Sequence, residues 1–545
     1  MENYRNFSFF VMCITVVMLF MAWNGDIENL EKKAKLPKEE SADLISLQSS
    51  TNTDLIKVKT DVLELVINLS GGDIVDSRLL KFNKSADDNT PIHLLQKTNL
   101  FSYTVSTGLV GPDGPDGKSR PTYTSLQKEY DMNGKDKLTV ALTYENDGVE
   151  FVKNFTFYKG SYRIDVSYDI KNSTDHEISV RTFGQIKQTV AVPDSGEANL
   201  FLAGSFRGGA YSTDENNYSK ITLEDLANPK ESEIAHPGIV TKGGWISMIQ
   251  HYFTTAFIGN AATSNQIYSI PSNNGKEAVM GLTGDIEKIP GHQTVTLKNS
   301  LWIGPKNQKE MDALAPHLGL TLDYGWLWFI SELLVNLMTF IHSFIGNWGF
   351  SIIAVTLIVR GLMYPLTRAQ YTSMAKMRLI APKLQELRER YQSDRERFQK
   401  ETMNLYKNEK VNPAAGCLPI LIQMPIFIAL YWALMESVEL RQSPFIFWIK
   451  DLSVNDPYFI LPLLYGVTMF AVQKMSQSQT QMINNIQKNI FLFMPVIFTI
   501  MFMFFPAGLT LYWTVSNVIT IIQLKFIYSH LEKIGLHTRA KKKAK

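Results

Sequence analysis

The pattern of apolar and polar positions divides the chain into two unlike halves. Residues 24–320 are mostly polar and carry short apolar runs between turn residues, whereas most long apolar runs lie after residue 320. Short alternating runs are typical of strands, and long continuous apolar runs are typical of membrane helices. The pattern therefore predicts one β domain and one helical membrane domain.

Residues 55–318 are predicted to form a large all-β sandwich with mainly antiparallel strands. The segment RIDVSYDI at 163–170 alternates, and four of its apolar side chains share one face: Ile164, Val166, Tyr168 and Ile170. Similar short runs are LTVALTY (138–144), FVKNFTFY (151–158) and FTTAFIG (253–259). Gly, Asn, Asp and Pro separate these runs, as expected at turns. A few short helices are also expected, one of them around residues 221–227.

Apolar runs flank this domain on both sides. Residues 1–24 contain one that no small-residue cleavage pattern follows, so we interpret it as a retained transmembrane anchor. Residues 25–54 are rich in Lys, Glu, Ser and Thr and have no periodicity, which indicates a flexible linker. Five further spans are predicted at about 349–367, 416–435, 458–474, 488–505 and 509–527.

The run at 326–345 differs from the other apolar runs. Its polar residues recur at helical spacing and share one face: Glu332, Asn336, Thr339 and Ser343. This pattern favours an amphipathic helix that lies in the membrane interface over a helix that crosses the membrane.

Basic clusters give the predicted topology. Residues 366–413 contain eleven Lys and Arg against six Asp and Glu, and the tail at 530–545 is also basic. Both clusters are cytoplasmic by the positive-inside rule if the chain crosses six times and 326–345 does not cross. The termini are then cytoplasmic and the β domain is periplasmic, as in a bacterial inner membrane. Residues 370–410 have helical composition with a break near Ser393, which predicts a cytoplasmic helical hairpin.

Arg360 is the most informative residue of the membrane half. It lies inside the apolar run SIIAVTLIVRGLMYPLTRAQ at 351–370. A charged side chain at membrane depth costs about 2.5–3.5 kcal/mol on insertion scales, so it indicates a functional site. One interpretation is an arginine whose side chain snorkels to the cytoplasmic interface. The other is a charge that faces a water-filled cavity, because no acidic residue lies in the middle of a span to neutralise it.

Several polar residues at membrane depth are candidates to line such a cavity with Arg360. They are Thr356, Gln423, Thr514, Ser516, Asn517 and Gln523. Each of them alone is also explained as a helix-to-helix hydrogen-bonding residue. The exteriors of the predicted spans carry Met424, Met435, Phe498 and Phe502, which form soft surface of the kind that adapts to varied apolar partners.

The sequence offers no residues for enzymatic chemistry. GPDGPDGKS at 111–119 resembles a phosphate-binding loop, but a proline stands at 112, where that loop needs glycine. The two cysteines, Cys13 and Cys417, both lie in apolar segments, and the nine histidines form no ligand motif. We therefore expect no catalytic site, no cofactor, no metal site and no sequence-specific binding of nucleic acid.

Four long segments of the membrane half resemble the YidC/Oxa1/Alb3 family of membrane protein insertases. They are RGLMYPLTRAQYTSMAKM (360–377), KVNPAAGCLPILIQMPIFIALYWAL (410–434), SVELRQSPFIFWIKDLS (437–453) and PAGLTLYWTVSNVITIIQ (506–523). The large β domain resembles the Gram-negative form of the family. The resemblance implies a polytopic α-helical protein with a five-helix insertase core at 346–529 and no enzymatic activity.

The resemblance also implies a mechanism and partners. A hydrophilic groove that holds Arg360 receives the polar segment of a nascent membrane protein, while the apolar segment slides out along 416–435 and 488–505. The slide then includes Met424, Phe427, Met435, Phe498 and Phe502, beside membrane lipid. The Sec translocon, its accessory subunits and, through the hairpin and tail, the ribosome are implied partners. Trp513 is also an expected residue of the groove. Relatives have a tyrosine pair where this chain reads Tyr512-Trp513, so the indole keeps the aromatic bulk but replaces the hydroxyl at 513.

Two other functions compete with insertion. A small-molecule or anion transporter would use Arg360 as its binding site, but the core lacks an inverted repeat. A membrane-anchored β domain that binds or modifies carbohydrate would leave the elaborate helical core unexplained.

Overall fold

The computed structural model describes residues 55–534 apart from 99, 118, 192–205, 230–233, 236, 272–274, 392–393, 410–417 and 478–484. The chain divides into two compact units, and the division falls between Leu322 and Asp323. The predicted anchor at 1–24, the linker at 25–54, both cysteines and the tail beyond residue 534 lie outside the described residues.

The first unit is a β-sandwich, as predicted. Among the described residues its first sheet contains β1 (Leu55–Lys59), β2 (Leu63–Asn68), β3 (Asp73–Ser85), β4 (Asp88–Lys97), β5 (Ser102–Val110), β7 (Glu129–Asp131), β11 (Ile178–Thr189), β14 (Ile239–Lys242), β17 (Ser264–Ser269), β18 (Glu277–Thr283) and β19 (Glu287–Ile289). The spatial order is β14-β17-β18-β11-β5-β4-β3-β2-β1-β7, with β19 paired to β11.

The second sheet packs against the first. Its described strands are β6 (Thr124–Ser125), β8 (Lys137–Asn146), β9 (Val149–Tyr158), β10 (Arg163–Asn172), β12 (Gly208–Ser212), β13 (Ser219–Thr222), β15 (Trp245–Ile249), β16 (Phe253–Ile258) and β20 (Thr294–Pro305). Their spatial order is β13-β12-β15-β16-β20-β10-β9-β8-β6. Named strands pair antiparallel except β1 and β7, which pair in parallel.

Alternation along β10 places its apolar face in the core. The four predicted inward residues are at most 1% exposed, and they are Ile164, Val166, Tyr168 and Ile170. Burial of such side chains is the main force that holds the two sheets together. The predicted short helix is α1 (Leu223–Ala227), and the Thr222 hydroxyl caps it by accepting from the Asp225 amide. A second helix of this unit is α2 (Gln308–Leu314).

One inward position of β9 carries a lysine. Lys153 is fully buried, and its Nζ donates to the carbonyls of Gly71, Gly72 and Thr107 at 2.9, 2.8 and 2.7 Å. These carbonyls belong to the first sheet and its β2–β3 turn, so the amine ties the two sheets together. Burial lowers the pKa of Lys153 to about 7, against the opposing attraction of Asp73.

The loop that resembles a phosphate-binding loop has a structural role. The Asp116 carboxylate accepts from the Leu109 amide at 2.8 Å and from Arg120 Nη1 at 2.5 Å. Arg120 also donates to Asp73 and to the carbonyls of Gly71 and Thr107. The loop thus folds back on β5 and joins the charged groups around Lys153.

The second unit is helical. Its described helices are α3 (Trp328–Ile345), α4 (Trp348–Leu362), α5 (Tyr364–Arg390), α6 (Arg395–Asn408), α7 (Leu418–Glu436), α8 (Ile460–Gln477), α9 (Asn485–Phe502) and α10 (Ala507–Lys533). Helices α5 and α6 form the predicted hairpin, and Lys383 Nζ contacts Glu409 Oε1 across it at 2.6 Å.

Two described helical segments have the length and apolar composition to cross a membrane, Gly325–Ile345 and Ala507–Lys533. A third results if α4 and the first part of α5, which are bent by 56° at their junction, count as one span. Shorter apolar helices cover Ile422–Glu436, Ile460–Ser476 and Phe493–Phe502. Six crossings therefore stay a prediction, and so does the interfacial placement of 326–345, which has the composition of a span.

Candidate functional site

Arg360 lies in the last turn of α4, next to the break between α4 and α5. Asn347 caps the first turn of α4, where its side chain accepts from the Phe350 amide. The helix ends at Leu362, and Pro365 at the start of α5 cannot donate a backbone hydrogen bond, which favours a break there. The break sets the direction of the last turn and therefore the place of the guanidinium.

Neutral side chains from two other helices hold the Arg360 guanidinium. Its Nε donates to Ser516 Oγ of α10 at 2.6 Å. With the Gln423 amide of α7 oriented so that its oxygen faces the guanidinium, Oε1 accepts from Nη1 at 2.6 Å and from Nη2 at 2.8 Å. No carboxylate forms an ion pair with Arg360 within the described part of the chain. The positive charge is thus oriented by dipoles but not neutralised.

Gln523 holds the backbone at the same point. Arg360 is among the last four residues of α4, whose carbonyls lack partners within an ideal helix. The Gln523 Nε2 of α10 donates to the Arg360 carbonyl at 3.0 Å. We call Arg360, Gln423, Ser516 and Gln523 the arginine cluster. It joins three helices around one charge.

Replacing Gln523 with leucine should destabilise the junction of α4 and α10. The change leaves the Arg360 carbonyl without its donor, which costs about 1–3 kcal/mol for a buried group. We expect faster hydrogen exchange of the amides in the last turn of α4. The matched control is Ile522→Ala, because Ile522 is 50% exposed on the neighbouring position of α10. Equal exchange in both variants would show that Gln523 does not hold the break.

The side-chain polar groups of the other three predicted residues, Thr356, Thr514 and Asn517, bond to residues other than Arg360. Thr356 donates to the Ile352 carbonyl at 2.6 Å and Thr514 to the Thr510 carbonyl at 2.8 Å, each on its own helix. Asn517 donates to Thr468 of α8 at 3.3 Å. Of the six predicted polar residues, the structure therefore brings Gln423, Ser516 and Gln523 to Arg360.

Aromatic rings pack around Trp513 of α10, one helical turn before Ser516 of the arginine cluster. Trp513 stacks on Phe427 with ring centroids 4.4 Å apart and contacts Phe502 edge-on at 4.1 Å. Tyr465 lies 6.0 Å from Trp513, and Phe505 lies 5.2 Å from Phe502. These five residues are the aromatic cluster. It joins α7, α8, α9 and α10.

Trp513 contributes to this cluster through its ring and not through its N–H. The Nε1 atom is buried and has no hydrogen-bond partner among the described residues. Trp513→Tyr should therefore lower the free energy of unfolding by no more than about 1 kcal/mol. Trp513→Ala should lower it by about 3 kcal/mol, because it leaves a cavity. Chemical unfolding of the full chain in detergent, with Trp326→Ala as the control at a 69% exposed tryptophan, tests both values. A large cost for the tyrosine variant would contradict the packing role.

The predicted slide residues fall into two groups. Met424 is 47% exposed, and Phe427 and Phe498 are partly exposed. Phe502 is completely buried and Met435 is 7% exposed, so the expectation of soft exposed surface is wrong at these two positions. Phe502 is buried because four aromatic rings surround it. One of these rings is that of the partly exposed Phe498, whose centroid lies 6.5 Å from that of Phe502, so Phe502 supports Phe498 from below the surface.

Sequence reasoning missed two features of the site. It identified Gln523 as a polar residue at membrane depth but did not identify it as the hydrogen-bond donor to the Arg360 carbonyl. A signal was available, because the helix break at Pro365 leaves nearby backbone carbonyls in need of donors. It also missed Tyr465 and Phe505 as members of the aromatic cluster. No local pattern distinguishes them from other aromatic residues of an apolar helix.

Comparison with known proteins gives matches over both units. A family described as 60Kd inner membrane protein matches residues 340–534, and a family described as YidC periplasmic domain matches residues 55–337. The crystal structure of an active YidC insertase with its first transmembrane domain resolved is 19% identical, with a TM-score of 0.36, and the match covers 88% of this chain and 93% of that one.

Two further solved structures match about half of this chain at low identity. A galactose mutarotase related enzyme from Lactobacillus acidophilus is 11% identical with a TM-score of 0.29, and 46% of this chain covers 97% of it. A galactose mutarotase-like protein from Lactobacillus casei is 10% identical with a TM-score of 0.30, and 46% of this chain covers 99% of it.

Proposed function

This chain belongs to the YidC family of membrane protein insertases, and from that premise we propose that it inserts and folds membrane proteins through a polar groove built around Arg360. The observation that carries the proposal is the arginine cluster. A positive charge stands in an apolar helix, the neutral side chains of Gln423 and Ser516 bond its guanidinium, Gln523 bonds the backbone carbonyl of the same residue, and no carboxylate of the described chain pairs with it. Such a charge is available to a visiting polar segment.

The proposed mechanism is electrostatic capture followed by partition. A charge in a low-dielectric site attracts acidic or polar segments more strongly than the same charge in water. Capture of the polar segment shortens the hydrocarbon path that it still has to cross. The adjoining apolar segment then moves into lipid, and its burial supplies the free energy, so no nucleotide is needed.

We further propose the arrangement in the bacterial inner membrane. Six helices cross, both termini are cytoplasmic, the β unit is periplasmic and α3 lies in the interface. The exposed Met424 and the partly exposed Phe427 and Phe498 form the slide, with the buried Phe502 packed against Phe498. The α5–α6 hairpin and the basic tail engage the ribosome and nascent chain, and the protein works alone or beside the Sec translocon.

Reconstitution tests the proposal directly. The purified full chain in liposomes should insert a short single-span client, which becomes protected from added protease only on insertion. Liposomes without the chain are the control for spontaneous insertion. Uptake of a small anion by the same liposomes, without client insertion, would favour the transporter and contradict the insertase.

A further inference from the structure

A cleft of about 790 Å³ opens on the second sheet of the β unit. Polar side chains of β9 and β10, such as Thr156, Tyr158 and Asp165, line it, and they alternate with the buried core residues of the same strands. The far wall comes from the β14–β15 turn at Gly243 and Gly244 and from residues 314–317 after α2. A cleft of this volume is in the range of ligand-binding sites.

Most of the charged side chains that line the cleft are cationic. It contains four positive side chains, Lys137, Arg163, Lys242 and Lys298, against two carboxylates, Asp165 and Asp214. All four positive side chains are exposed. At neutral pH the cleft therefore carries excess positive charge.

After the ion pair of Arg163 with Asp165 is counted, three lysines of the cleft remain against one carboxylate, Asp214. Asp165 accepts from Arg163 at 2.7 and 2.9 Å, from Tyr158 at 2.8 Å and from Ser300 at 2.8 Å, so it is fully engaged. Asp214 accepts from the Thr241 hydroxyl at 2.9 Å. None of the three lysines forms an ion pair in the described part of the chain.

Two of the three lysines, Lys137 and Lys298, are too far apart to serve one compact anion. In the strand register Lys137 pairs with Tyr158, next to Arg163 of β10, whereas Lys298 of β20 pairs with Ser167. Lys137 and Lys298 are thus three strand spacings apart across the sheet and four residues apart along it, or about 20 Å. An extended chain rises at most about 3.5 Å per residue, so about six residues bridge the two amines.

Aromatic faces in the cleft are already occupied. Trp245 is 1% exposed and its N–H is bound to the Pro316 carbonyl. The Tyr158 ring has Lys137 Nζ at 5.8 Å and Arg163 Cζ at 5.6 Å from its centroid. Trp245 and Tyr158 therefore offer no free ring face for stacking on a sugar.

We propose that this cleft binds extended peptide segments that carry several carboxylates. Its three lysines meet side-chain carboxylates spaced along the peptide, and the polar side chains on the outer face of β9 and β10 lie beside the peptide backbone. The translocated segments of client proteins are a fitting source, because segments on that side of a membrane are depleted of Lys and Arg. This choice of source rests on the proposed function, whereas the peptide site itself does not.

Binding of a labelled peptide to the full chain in detergent tests the site. The probe is a fluorescent twelve-residue peptide of alternating Glu and Ser, and its control has Gln in place of Glu. Wild type should bind the Glu peptide, and the triple change Lys137→Gln, Lys242→Gln and Lys298→Gln should weaken binding about tenfold or more. The matched control variant carries glutamine at three exposed lysines of the same unit that lie outside the cleft, Lys57, Lys81 and Lys171. This control should bind the Glu peptide as tightly as wild type does.

Three results would overturn the proposal. They are equal binding by the triple variant and wild type, equal binding of the Gln and Glu peptides, and lysine-dependent binding of anionic lipid vesicles or an acidic oligosaccharide in place of the peptide. Client insertion by the same variants separates the two proposals. If the triple variant loses peptide binding but still inserts a client without acidic residues, the result supports the peptide site in the cleft. If the wild-type protein inserts no client, the result contradicts the insertase proposal and leaves the peptide site unaffected.

Discussion

Replacing Arg360 with alanine is expected to reduce the insertion of clients with acidic or polar translocated segments by about 30-fold or more. Removal of a unit charge that acts over a few ångströms at an effective dielectric constant near 20 forfeits about 2–4 kcal/mol of attraction. A very apolar client with a short uncharged translocated segment relies on partition into lipid, so its insertion should fall by less than about threefold. The measurement is the initial rate of insertion into liposomes for both clients.

Two substitutions separate the charge from the hydrogen bonds. Arg360→Gln keeps polar groups for Ser516 and Gln423 but has no charge, and it should resemble the alanine variant. Arg360→Lys keeps the charge and should retain much of the activity, although it loses the two-pronged contact with Gln423. The matched control is Arg368→Ala, an arginine two turns away that contacts His530 at an exposed position. Equal loss for both clients would contradict electrostatic capture.

Sequence patterns predicted the features that repeat along the chain. Alternation in RIDVSYDI gave the buried face of β10, and the charge of Arg360 in an apolar run identified the centre of the arginine cluster. Both follow from local rules on side-chain period and on the cost of a charge in lipid. The basic segment after α4 likewise has the helical hairpin that its composition indicated.

Features that depend on packing between distant segments were not predictable. Gln523 meets the Arg360 carbonyl across 163 residues of chain, and nothing near either residue specifies that meeting. Phe502 belongs to the same apolar helix as Phe498, yet one is buried and the other is partly exposed because Trp513 and Phe505 cover only one side of α9. Periodicity identifies a face, but it does not identify the neighbour that covers it.

Lys153 has one feature that the local pattern predicts and one that depends on distant segments. The alternation in FVKNFTFY places it on the same face as Phe151, Phe155 and Phe157, all of which are at most 3% exposed. A lysine on the buried face violates the pattern, and its compensation comes from carbonyls of the other sheet and from Asp73 and Asp116 nearby. The violation was visible in the sequence, but its structural reason was not.

Replacing Lys153 with methionine should lower the free energy of unfolding of the β unit by about 3 kcal/mol at pH 7. The change removes the Lys153 hydrogen bond from three carbonyls, of which those of Gly71 and Thr107 keep Arg120 as a donor. A lost donor costs about 1–3 kcal/mol for a buried carbonyl, and methionine packing restores only part of the loss. The measurement is urea unfolding of the full chain in detergent, followed by hydrogen exchange in β9 and β10. Lys187→Met is the control, because Lys187 is 41% exposed in a surface ion pair with Glu277 and should cost less than about 1 kcal/mol.

The same lysine should make the stability of the β unit depend on pH. Its folded pKa of about 7 lies below the unfolded value of 10.5, so between these values the unfolded chain binds the extra proton. The contribution of Lys153 is therefore complete above pH 10.5, falls as the pH decreases and levels off below about 7. The difference in unfolding free energy between wild type and Lys153→Met should accordingly rise by about 2 kcal/mol from pH 7 to pH 9. A difference that stays constant or falls would mean that the buried amine remains charged, with Asp73 and Asp116 outweighing its burial.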